Sequence, residues 1–114
     1  MATAVLFIGM GHPHNATEPE KAFQWLGTEG IAFLKKHEGK YFERMEPIGL
    51  TPHGGDLAGC TILFGERAKL DEFRRTDEFE GFVMNLSRRF ANIGVVPGLN
   101  WEGIQNMMKR ANAR

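Results

Sequence analysis

The chain has 114 residues, 42% hydrophobic and 25% charged, values that exclude a disordered, collagenous or disulfide-built protein. Its 14 Lys and Arg balance 14 Asp and Glu, so it lacks the basic excess expected of a nucleic-acid binder, whose affinity rests on phosphate neutralisation. The length predicts one domain over residues 1–114, with a core but little surplus stability.

The first element is Ala4 to Met10, apolar on both faces and rich in strand formers, as in a central strand covered on both sides. It is too short to span a membrane and lacks the basic leader and cleavage site of a signal peptide. Gly11-His12-Pro13-His14 ends it. Thr17, Pro19 and Glu20 then announce a helix, with Thr17 at the N-cap and Glu20 completing a capping box. Phe23, Leu26, Phe33 and Leu34 supply its buried stripe as far as His37. Gly27 and Gly30 inside this segment predict either a break or a close backbone approach.

Gly39 stops the helix, and a second strand is expected from Lys40 to Leu50, with Pro47 marking an edge or a bulge. Thr51-Pro52-His53-Gly54-Gly55-Asp56 reads as a turn, and Ala58 to Phe64 as the third strand of a hairpin. A short helix follows over Arg67–Arg74. A longer one opens at Asp77 with the stripe Phe79, Phe82, Val83, Leu86 and Phe90. Asn92 to Val96 is predicted as the fourth strand, closed by Pro97-Gly98. Asn100 caps a last helix carrying Trp101, Ile104, Met107, Met108 and Ala111, a stripe expected to be core.

The order β-α-β-β-α-β plus a C-terminal helix predicts an α+β, ferredoxin-like antiparallel sheet with helices on one face. The doubly apolar first strand then needs a second cover, and the partner's sheet in a two-fold homodimer supplies it. The single cysteine, Cys60, has no internal disulfide partner, which predicts a reducing, cytoplasmic setting. It reads as a buried small residue at a strand start. The expected partner is a second copy, with no nucleic acid and no membrane.

On the stretch Gly59-Cys60-Thr61-Ile62-Leu63-Phe64-Gly65, followed by Leu70-Asp71-Glu72-Phe73-Arg74-Arg75-Thr76-Asp77-Glu78-Phe79, the chain resembles the dimeric α+β barrel superfamily. That resemblance implies a ferredoxin-like dimer with a ligand cleft between sheet and helices. The superfamily includes cofactor-independent monooxygenases, haem-degrading enzymes, lactone isomerases and proteins without assigned function, so the resemblance names no single activity. It carries no catalytic residue, because the Asn, Trp, His and Arg sets of the oxygenases have no counterpart motif around Trp25 or Trp101.

Gly9-Met10-Gly11 is no dinucleotide fingerprint: His14 stands at the third glycine position and Pro13 interrupts the turn. In an antiparallel sheet the strand ends gather His12, His14, His53, Asp56 and Cys60 at one edge, with Thr17 at the nearby helix start. Of these, His12, His14, His53, Asp56 and Thr17 are the candidate ligand-binding residues. Three readings stay open for them: a polar loop edge, an anion or small-molecule site, and a metal site. Against the metal, the first and second strands are not neighbours, and their ends lie about 10 Å apart. No metal site is therefore assigned, and no motif calls for a cofactor. The expected function is binding of a small organic molecule in a cleft walled by Phe7, Phe23, Phe64, Phe82 and Phe90. The alternative is a non-catalytic structural or interaction protein.

Overall fold

The computed structural model describes residues 2–15, 17–50 and 55–113. Four strands, β1 (Ala4–Met10), β2 (Arg44–Gly49), β3 (Gly59–Gly65) and β4 (Gly94–Leu99), form an antiparallel sheet in the order β2-β3-β1-β4. The helices are α1 (Pro19–Trp25), α2 (Ile31–His37), α3 (Arg67–Phe73), α4 (Asp77–Arg89) and α5 (Trp101–Asn112). No helix of the described residues is long and apolar enough to cross a membrane.

Strand alternation sorts the sheet into two faces. Ala4, Leu6, Ile8 and Met10 of β1 and Leu63 of β3 are buried beneath the helices. Leu6 pairs with Leu63 at the centre. Above them, the Phe73 ring is met by Phe33, His37, Tyr41, Phe42 and Phe79. Leu86 and Phe90 close the α4 side.

The other face carries Val5, Phe7, Ile62, Phe64, Val96 and Ile48, in register across the four strands. No helix covers them. Val96 is 54% exposed and the others are exposed or half-buried. The Arg44 guanidinium lies 3.7 Å from the Phe64 ring centre and 3.6 Å from the Glu46 carboxylate. Each edge strand contains a proline, Pro47 in β2 and Pro97 in β4. A proline removes a ladder donor and disfavours strand addition at an edge.

Several boundaries differ from those the sequence predicts. Thr17 does not cap α1: the N-cap is Glu18, and Asn15 Oδ1 accepts from the Thr17 and Glu18 amides and the Thr17 hydroxyl. α4 does open at Asp77, and Thr76 caps it, its hydroxyl accepting from the Phe79 amide at 3.1 Å. β2 begins only at Arg44, because the chain reverses at Gly39 with φ 88°, where a side chain would be strained. Asn92 adopts φ 54°, a turn conformation that asparagine tolerates, so β4 starts at Gly94. β4 then runs through Pro97 to Leu99, since an edge strand accommodates proline. Asn100 does cap α5, accepting from the Gly103 amide at 2.9 Å. The α5 stripe is not core: Trp101, Met107 and Met108 are exposed, and Gly103 is the residue the helix buries.

Candidate functional site

Between α1 and α2 the helix neither breaks nor admits another backbone. Residues Leu26–Gly30 form a π-helical turn, in which the Ile31 amide donates to the Leu26 carbonyl five residues back. The widened turn leaves carbonyls without their usual donors, and the Thr28 hydroxyl takes that of Gln24 at 2.7 Å. Thus the two glycines and the mid-helix threonine mark a shift of hydrogen-bond register. Such turns recur at functional sites.

The turn overhangs a cleft of about 210 Å³. Its roof is Phe23, Leu26, Gly27 and Ile31. Its floor is the helix-facing side of the β2 and β3 ends, where Pro47, Gly49, Gly59 and Thr61 follow the parity of Met45 and Leu63. Space exists there because side chains are missing. A Cβ at Gly27 or at Gly49 would meet no atom within 4 Å. For scale, an engineered apolar cavity of roughly 150 Å³ admits benzene.

Cys60 borders the cleft, but its pairing with Gly9 and Ile48 gives its side chain the parity of the opposite sheet face, and burial pushes its thiol up. The thiol therefore stays protonated, and Cys60 has no thiolate nucleophile's character. Of the predicted walls only Phe23 lines the cleft. Phe82 and Phe90 are core, and Phe7 and Phe64 lie on the opposite sheet face. Alternation decides this: once Leu6, Ile8 and Met10 face the helices, Phe7 cannot.

The predicted polar residues distribute differently. Met10, Gly49 and Gly59 place the cleft at the strand ends, the same sheet edge the topology predicts for the histidines. His12 and His14 turn away from it along α4. The Gly11 amide donates to Ala91 O, the Ala91 amide to His12 O and the His14 amide to Arg89 O. His14 Nε2 then meets Ser87 O at 2.9 Å, beside a separate groove with Asn15, Lys21, Arg88 and Arg89. The Asp56 backbone packs against Gly11, next to His12. Thr17 spends its hydroxyl on Asn15. His53 lies outside the described residues. His12, His14, Thr17 and Asp56 are all exposed, and among the described residues no three His, Cys, Asp or Glu converge as metal ligands. Sequence reasoning missed Gly27, Gly49 and Thr61; the signal for Thr61 was a lone hydroxyl in the apolar run Cys60–Phe64.

No family model and no curated protein matches the chain. Solved structures do. An ethyl tert-butyl ether d (ethd) family protein from Bacillus halodurans superposes with a TM-score of 0.67 at 12% identity, over 84% of this chain and 96% of its own. HapK from Hahella chejuensis gives 0.62 at 14% identity, over 82% and 90%. A dimeric protein of unknown function and ferredoxin-like fold from Bacteroides fragilis gives 0.61 at 10%, over 85% and 96%. At these identities the likeness is one of fold: the chain has a ferredoxin-like α+β fold.

Proposed function

We propose that the protein is a homodimer that binds a compact, mainly apolar organic molecule in the cleft beneath the π-helical turn. The observation that carries the binding reading is the open space at Gly27 and Gly49, walled by Met10, Phe23, Leu26 and Ile31. Apolar walls with few polar groups are the usual make-up of small-molecule sites. The dimer reading rests on the uncovered apolar sheet face between two proline-bearing edges, which favours pairing face to face. The Bacteroides fragilis neighbour, described as dimeric, agrees with it. Cofactor-free turnover of the monooxygenase or isomerase kind is the catalytic extension of this reading. It would need a proton-transfer group from beyond the described lining residues, because Cys60 is held neutral.

Titration of isotope-labelled protein with toluene tests the site. Amide shifts are expected at Leu26, Gly27, Ile31, Gly49 and Gly59. Gly27→Leu should abolish them without loss of stability, since leucine favours a helix over glycine. Shifts that persist in Gly27→Leu, or none in the wild type, would leave a structural or interaction role instead. For the dimer, light scattering should give twice the 12.8 kDa of one chain; a mass near one chain at micromolar concentration ends that half of the proposal.

A further inference from the structure

The cleft is apolar at every side chain but one. Thr61 sits on its floor, paired across β2 with Pro47 and across β1 with Ile8. It is 2% exposed. Three other threonines place their hydroxyls firmly: Thr17 on Asn15, Thr28 on the Gln24 carbonyl and Thr76 on the Phe73 carbonyl. The Thr61 hydroxyl takes part in no hydrogen bond among the described residues. Neither cross-strand neighbour, one proline and the other isoleucine, offers it a polar side chain. Nor is it sealed away, for among the described residues the one sealed side-chain polar atom without a partner is His37 Nε2. A hydroxyl neither paired nor sealed opens onto the cleft that Thr61 lines.

We infer that Thr61 is the specificity-determining residue of the cleft, selecting a compact hydrocarbon frame that carries a single hydroxyl or carbonyl group. The inference rests on the cleft being the binding site. A threonine hydroxyl is both donor and acceptor, so it receives the O–H of an alcohol or phenol and donates to a ketone or aldehyde. Full ions are selected against, because the described lining residues supply no opposite charge. A site with one hydrogen-bonding group in apolar walls discriminates against an isostere that leaves that group unpaired.

The test compares p-cresol with toluene, which share ring and methyl group and differ by one hydroxyl. Affinities for both are measured by amide-shift titration on wild type, Thr61→Val, Thr61→Ser and Thr61→Ala. The readout is the ratio of the two affinities, which cancels the general effect of a substitution on the cleft. Thr61→Val and Thr61→Ala should lower the p-cresol preference about three- to tenfold, the net worth of one hydrogen bond. Thr61→Ser should keep it. An unchanged ratio in the valine and alanine variants, with both compounds still bound, overturns the role of Thr61 and leaves the cleft intact. Failure of both compounds to bind the wild type overturns the cleft reading and this inference with it.

Discussion

The ring of Phe7 lies across Gly9, so that a Cβ on Gly9 would come within 2.6 Å of Phe7 Cε1 and 3.5 Å of Leu57 Cδ2. Both residues belong to the uncovered face of β1, and the glycine lets the ring lie flat along the strand. Gly9→Ala is expected to lift the ring outward. Its far end is free to swing, so the fold should survive with a nearly unchanged melting temperature. On the proposed dimer seam the flat surface is then lost, and sedimentation should show dimer dissociation strengthened about tenfold, or 1.4 kcal/mol. An unaltered dimer would mean that the Phe7 face is not the seam.

His37 offers a pH test. It is 7% exposed among Phe33, Tyr41 and Phe73, with Nε2 unpartnered. Burial lowers its pKa below the usual 6.5, Lys36 and Lys40 push the same way, and Glu78 opposes them. The unfolded chain therefore takes up the proton first. The neutral ring's contribution is fully present above pH 6.5 and is lost as pH falls toward the lower folded value. The melting temperature should decline from pH 7 to 5, and His37→Phe should flatten that part of the profile. An equal decline in the variant would assign the effect to carboxylates.

Leu6 and Leu63 face each other at the sheet centre, both 0% exposed. Leu63→Ala should cost about 2–5 kcal/mol in denaturant unfolding, through lost transfer energy and the cavity left behind. A loss below about 1 kcal/mol would show that the helix layer collapses into the gap.

Gly11 is held between two backbone oxygens. A Cβ there would sit 2.7 Å from Ala91 O and 2.9 Å from Asp56 O, and neither can swing aside as a side chain would. Gly11→Ala should be destabilising, with amide exchange accelerated at Ala91 and His14. Exchange unchanged at both would contradict this packing.

Asn100 ties the two termini together. Its Oδ1 accepts from the Gly103 amide at 2.9 Å and its Nδ2 donates to Ala2 O at 2.8 Å. Asn100→Ala should cost about 0.5–2 kcal/mol as a lost cap. Helicity should fall in α5 while α4 is unaffected, which carbon chemical shifts would register.

The parts of this protein legible in its sequence are those set by local chemistry. The doubly apolar run of β1, the edge proline Pro47 and the Asn100 cap all stand where residue type alone places them. His12 and His14 follow the β1 end, as the order of elements requires. Their direction is another matter, decided by Pro13 bridging to Phe90 and the paired amides around it, contacts 77 residues apart. The walls were misread because hydrophobicity does not name a face: Phe7 and Leu6 are equally apolar and point oppositely. The π-helical turn was visible only as two awkward glycines. Its hydrogen-bond register depends on which side chains α2 must deliver to the core.

That dependence makes substitution and deletion unequal edits. Filling the space at Gly27 with a larger side chain leaves the helix where it is. Removing one residue within Leu26–Gly30 would restore an α-helical register and leave α2 facing as it does, because the wide turn already absorbs one residue more than a regular turn holds. Leu34, 1% exposed, would stay in the core, and His37 in its aromatic surround. A one-residue deletion there should therefore leave the domain folded and tighten the turn above the cleft, where a plug at the same position only fills it. The residue that widens the turn is one that the packing of α2 can do without.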